Sequence, residues 1–137
     1  AASDVYKRQD PIIDAMIETW QCDENGKYFN YQGFSRRVTD FKTGEYQLKT
    51  IRPGNQINED GTISPSYILF WIVARGMNRP LITRMYFDEN ELKSDVMFKS
   101  LNIQDRLKTL MPLTEDKKNF VFDIHLQGKK ETIFFEF

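Results

Sequence analysis

The run "SPSYILFWIVARG" at residues 64–76 dominates the hydrophobic pattern of this chain. From 67 to 75 it reads as a strand that is apolar on both sides. Tyr67, Leu69, Trp71 and Val73 line one face, and Ile68, Phe70, Ile72 and Ala74 the other. A surface strand alternates apolar with polar positions, so this one is expected to be covered on both faces. "GMNRP" then predicts a turn, and residues 81–87 the antiparallel partner. Upstream, residues 15–22 ("AMIETWQC") predict a first strand, closed at "DENG", where Asn25-Gly26 supplies the positive backbone angles of a tight turn. Residues 36–41 and 45–51 flank "KTG" and read as a hairpin with Tyr46 and Leu48 on one face. Pro53-Gly54 breaks the chain, and residues 55–66 form a polar connection without periodicity.

Residues 88–112 are the one helical region. Acids cluster at its start, and Leu107, Leu110 and Met111 recur at helical spacing. Residues 119–127 alternate cleanly, with Phe120, Phe122, Ile124 and Leu126 set against Val121, Asp123, His125 and Gln127. "GKK" turns this strand into a last one at 131–137. Short strands separated by turn chemistry predict an all-β, antiparallel β-sandwich in a single domain.

Composition narrows the chemistry. The 137 residues suit one domain, and 11 Phe, 6 Tyr and 2 Trp favour strands over helices. Net charge is −1, and the pairs Arg36-Arg37, Lys117-Lys118 and Lys129-Lys130 are dispersed among acids, which leaves no footprint for nucleic acid. No apolar run reaches membrane-spanning length and no signal peptide is visible, which suggests a cytoplasmic protein. One Cys (Cys22) and one His (His125) exclude an internal disulfide framework and a self-sufficient structural zinc site. Residues 1–9, "AASDVYKRQ", resemble a translated sequencing-adapter tail and are set aside as a non-native segment, which leaves 10–137 as the domain.

Three groups invite a catalytic or binding reading. Asp88, Glu89 and Glu91 could act as paired carboxylates, but acids at a helix start are what the helix dipole selects. His125 shares the polar face of its strand with Asp123 and Gln127, the pattern of an exposed strand histidine. Arg75 closes the apolar strand just before Gly76. It is either a solvated strand end or a carboxylate clamp, for which the guanidinium fork is suited.

The order of short motifs goes further than composition. "DAMIETWQCDENGKY", "GFSRRVTDFKTGEY", "KTIRPG", "ARG", "TRMYFDE", "FDIHLQG" and "ETIFFEF" follow one another across residues 10–137. Together they resemble the intradiol ring-cleavage dioxygenases, on the branch that cleaves protocatechuate with paired alpha-type and beta-type chains. The resemblance implies a β-sandwich of the intradiol dioxygenase type with a short helical insertion near residues 89–112. It also implies an N-terminal truncation, because the family's first part has no counterpart here.

In that family a non-haem ferric iron, held by two Tyr and two His, activates a catechol-type ring for opening by O₂. The catalytic chains carry Pro-x-His-x-His where this sequence has "PSYIL", so Tyr67 and Leu69 stand at the histidine positions. One tyrosine ligand would follow "TIRPG", where Asn55 and Gln56 are found; the other belongs near the shortened loop "FNYQ", where Tyr31 stays unassigned. A single histidine cannot supply two histidine ligands. The resemblance therefore implies a non-catalytic alpha-type subunit with no catalytic residue and no metal of its own. Its partner would be an iron-bearing beta subunit in a hetero-oligomer, and Arg75 would help receive the carboxylate of an aromatic acid substrate. A β-sandwich binding module with no redox role is the alternative, favoured if no beta-type gene lies nearby.

Overall fold

The computed structural model describes residues 2–4, 10–12, 14–28, 30, 32–99, 104–127 and 130–136. Its centre is a four-stranded antiparallel sheet of β3 (Ala15–Trp20), β4 (Phe34–Val38), β7 (Tyr67–Ala74) and β8 (Leu81–Tyr86) in the order β4-β3-β7-β8. The apolar strand β7 is central, with Ala15 opposite Ala74 on one side and Tyr67 opposite Tyr86 on the other. A small sheet joins β1 (Ala2–Asp4), β2 (Asp10–Pro11) and β9 (Ile124–His125), and its β1–β9 pair is parallel. Ala2–Asp4 belongs to the segment set aside on sequence grounds, and here it lies between two other strands. A two-residue ribbon, β5 (Gln56–Ile57) with β6 (Ile63–Ser64), stands apart.

Side-chain alternation along β7 separates two packed regions. Ile68, Phe70 and Ile72 point to one side, where they form a core with Ile17, Met85, Phe122 and Ile124. Residues 120–126 and Tyr46 thus make the second layer over that face, as a sandwich requires. The Tyr46 hydroxyl ties the layers by donating to the Phe122 carbonyl at 2.8 Å. Tyr67 and Tyr86 point the other way and join Leu92, Phe98, Leu107, Leu110 and Ile133 in a second core under the helical segments.

Several expectations need correction. β7 is not covered on both faces along its whole length, because Trp71 at mid-strand is 39% exposed. The first strand ends at Trp20 rather than 22, and in its turn the positive angle falls on Gly26 (φ 79°), not on Asn25. The strand placed at 36–41 spans Phe34–Val38 and pairs with β3, not with 45–51. Residues 45–51 form no strand and are held by side chains: Arg37 donates to the Gln47 carbonyl, and Gln21 to that of Ile51.

The helical region lies where it was expected, within residues 88–112. It divides into α1 (Glu89–Ser94), α2 (Val96–Lys99) and a 3-10 helix at Gln104–Leu110. Asp95 interrupts it by taking an extended backbone while its Oδ1 accepts from the Met97 N–H. Such local side-chain capture of the backbone competes with helix propagation. Residues 119–127 keep their burial pattern, but among the described residues they and 131–136 form little ladder: Ile124–His125 makes one short strand, Val121 a bridge to Leu113 and Phe135 a bridge to Ile82.

Candidate functional site

The site suggested by the sequence lies on the Tyr67–Trp71 face of β7. The polypeptide reaches it from three directions. Antiparallel pairing brings Trp20 opposite Leu69 and Glu18 opposite Trp71 from β3, and Arg84 opposite Leu69 from β8. The turn at residues 23–27 delivers Tyr28. Within it, Asp23 Oδ1 accepts from the backbone N–H groups of Asn25 and Lys27, each at 2.9 Å. A Cβ at Gly26 would overlap the Asn55 carbonyl, so glycine lets this turn pack directly on residues 54–56.

Tyr28, Tyr67, Gln56 and Cys22 come together there. The phenol of the half-exposed Tyr28 is pushed up to about 12, first by partial desolvation and then by the neighbouring Tyr67 phenol and Cys22 thiol, with the Gln56 side chain opposing the rise. Burial likewise pushes the Cys22 thiol up, and it donates to the Gly54 carbonyl at 3.3 Å. Both groups are therefore kept in their neutral forms at ordinary pH.

Arg84 lies behind this cluster, 4.1 Å from the Tyr67 ring centroid and 5.4 Å from that of Phe135. Its Nη1 donates to the Tyr86 hydroxyl at 3.1 Å, and that hydroxyl donates to Asp95 Oδ2 at 2.9 Å. Burial also pushes the Tyr86 phenol up. The arrangement fixes Tyr67 as one wall of an aromatic box around a guanidinium, a packing and cation–π role.

These residues do not fit a ferric ion. Leu69 offers no donor, and Asn55 Oδ1 is taken by the Ser66 backbone N–H at 3.0 Å. His125 follows Ile124, which belongs to the core on the opposite side of the sheet from Tyr67 and Leu69. Among the described residues, no group of three or more His, Cys, Asp and Glu side chains could hold a metal. Tyr31 lies outside the described residues. A cleft of about 160 Å³ lined by Gln21, Cys22, Asp23 and Lys27 borders the turn, below the roughly 300–1,000 Å³ of most small-molecule sites.

Arg75 stands at the far end of β7, beyond Ala74. Its side chain is 87% exposed and its Nη2 lies 2.7 Å from Asp14 Oδ2. Gly76 (φ 84°) and the Met77 N–H to Ala74 carbonyl bond turn the chain immediately afterwards. Asp88 caps α1 by accepting from the Glu91 N–H at 2.9 Å, so the acidic cluster is a helix start, as its position suggested. Sequence reasoning missed Tyr28, Arg84 and Asp14. Arg84 had a signal, as the one charge inside the apolar strand "LITRMY". Tyr28 and Asp14 matter only through their neighbours across the sheet, which no local pattern reveals.

Comparison with known proteins gives this geometry a lineage. Residues 4–128 match the C-terminal dioxygenase family model, described as "Dioxygenase". The chain is 36% identical over 139 aligned positions to the protocatechuate 3,4-dioxygenase alpha chain of Pseudomonas putida, covering 92% of this chain and 69% of that one. It is 26% identical to the alpha chain of the same name from Burkholderia cepacia, with 91% and 69% covered.

The fold resembles the dioxygenase domain of a dioxygenase carbohydrate-binding protein fusion from Streptomyces sp. SirexAA-E, at TM-score 0.68, 18% identity and coverage of 96% and 76%. It also resembles chlorocatechol 1,2-dioxygenase from Pseudomonas putida, at TM-score 0.62, 19% identity and coverage of 90% and 56%. The all-β architecture and the sequence match agree: the chain belongs to the intradiol dioxygenase family.

Proposed function

We propose that this chain is a non-catalytic alpha-type subunit of a protocatechuate 3,4-dioxygenase, working in the cytoplasm beside an iron-bearing beta subunit. The observation that carries the reading is the β7 face. Tyr67 and Leu69 stand where catalytic relatives are read to place histidine ligands, while His125 belongs to the layer across the sheet. The beta subunit would supply the ferric iron and open protocatechuate with O₂ to 3-carboxymuconate. This chain would scaffold it and wall part of its pocket. Among the described residues, no helix is long and apolar enough to cross a membrane. Arg75, with an exposed guanidinium at a strand end, would receive the substrate carboxylate.

The test is reconstitution with a beta chain that carries Pro-x-His-x-His. Ring cleavage is expected from the complex and not from this chain alone. Arg75→Ala is expected to weaken protocatechuate binding while leaving catechol, which has no carboxylate, nearly unaffected. A charge-assisted hydrogen bond is typically worth about 1.5–3 kcal/mol, a loss of roughly ten- to a hundredfold. Arg75→Lys should recover only part, since an ammonium keeps the charge without the fork. Unchanged protocatechuate KM in Arg75→Ala removes Arg75 from the site. Full activity in this chain alone removes the alpha assignment.

A further inference from the structure

The reading of Arg75 as a carboxylate receiver leaves open what its guanidinium does before a substrate arrives. β3 and β7 end together, with Ala15 opposite Ala74, so Asp14 and Arg75 leave the ladder at the same end. There Asp14 Oδ2 sits 2.7 Å from Arg75 Nη2. The Gly76 turn limits where the arginine stem emerges, and Asp14 lies within its reach from the adjacent strand. A carboxylate is thus already seated on the group assigned to bind one.

We infer that Asp14 is an internal competitor for Arg75, a stand-in carboxylate that an incoming aromatic carboxylate must displace or share. This rests on the reading of Arg75 given above. The charge argument has two parts. A guanidinium paired with Asp14 presents little net positive charge to attract an anion. A second carboxylate on the same fork also meets repulsion from the first, which solvent screening keeps modest.

The pair is nonetheless open enough to be exchanged. Asp14 engages one terminal nitrogen of a five-donor fork, and the side chains are 87% and 42% exposed for Arg75 and Asp14. Exposed pairs of this kind are weak, so the barrier Asp14 sets is modest and displacement is feasible. Its consequence is selectivity: a carboxylate that makes a bidentate contact, or is held by other contacts, displaces Asp14, and a loosely held one does not.

The experiment has two arms. In the 137-residue chain, benzoate is titrated while the Arg75 Nε–Hε resonance is followed by NMR, for the wild type, Asp14→Asn and Asp14→Glu. In the complex with the iron-bearing chain, KM and kcat are measured for protocatechuate and catechol with the same variants. Asp14→Asn is expected to shift the benzoate midpoint down roughly two- to fivefold, and to lower the protocatechuate KM by a similar factor. Values of kcat and the catechol KM should not move, and Asp14→Glu should stay near the wild type.

Weaker or unchanged benzoate binding in Asp14→Asn overturns the inference, as does the absence of any response at Arg75. A shift with benzoate but none in the protocatechuate KM upholds the competition and instead removes Arg75 as the substrate's receiver.

Discussion

Phe70 and Trp71 are neighbours in the chain and opposites in environment. Phe70 is 2% exposed and packs between Phe122 and Tyr46, with ring centroids 5.2 and 6.1 Å away. Trp71 is 39% exposed on a face where Glu18 pairs with Arg36 at 2.7 Å and Arg36 lies over the Phe34 ring. One face of β7 is a sealed core made by the chain's own second layer. The other is sealed only at its Tyr67 end, by the aromatic box around Arg84, and opens toward Trp71 and Val38. A strand apolar on both sides thus serves two purposes. The first face supplies stability; the second keeps apolar surface that the chain does not itself cover.

The most forceful way to break this comparison is to truncate the two neighbours separately. Phe70→Ala should cost about 3–5 kcal/mol, the range for a buried aromatic that leaves a cavity. Trp71→Ala should cost only about 1 kcal/mol, since its ring is already partly solvated. Urea unfolding midpoints at constant m-value measure both. Equal losses would mean that the two faces are equally sealed.

A smaller effect tests the closed end of the open face. Tyr86→Phe deletes the hydroxyl that links Arg84 to Asp95 while keeping the ring. It leaves the buried Asp95 carboxylate short of a donor and should cost about 1–3 kcal/mol. A neutral outcome in the same unfolding assay would show that the ring alone closes this end.

The smallest effect concerns the layer over the sealed face. Burial lowers the His125 pKa below its ordinary value, Asp123 opposes this, and Lys130 adds to it. The folded state therefore prefers neutral imidazole, and the unfolded chain binds its proton first as pH falls. Stability from this group is full above the unfolded pKa of about 6.5 and is lost as pH drops through the folded value. Thermal melts between pH 7.5 and pH 5 should show a small decline that His125→Gln removes. A decline of the same size in the variant would assign it to other groups.

Much of the fold was legible because burial leaves a periodic trace. The pair β7–β8 follows directly from two apolar runs with a turn between them, and β3 was found to within two residues. The alternation at 119–127 was real as burial, with Phe122 and Ile124 inside and Asp123 outside. Alternation, however, encodes a face and not a ladder partner: among the described residues this segment contributes the two-residue strand Ile124–His125 and a single bridge from Val121 to Leu113. Residues 45–51 were misread for a related reason: their tethers are the side chains of Arg37, Gln21 and Tyr46, which pattern cannot show.

At the site, the resemblance carried by "PSYIL" and "ARG" pointed to Tyr67, Leu69 and Arg75, which lie on β7 or just beyond its end. The partners that define their surroundings, namely Tyr28, Arg84 and Asp14, come from other strands and turns and needed the sheet register.

The central claim of the proposed function is that the β7 face carrying Tyr67 and Leu69 is a wall and not an iron site. Its most direct test is the metal content and visible spectrum of the chain purified from iron-replete cells. The account predicts no stoichiometric ferric iron and no tyrosinate-to-iron charge-transfer colour, because Leu69 has no donor and Tyr67 is engaged as a wall of the aromatic box around Arg84. A red protein with one iron per chain would contradict it.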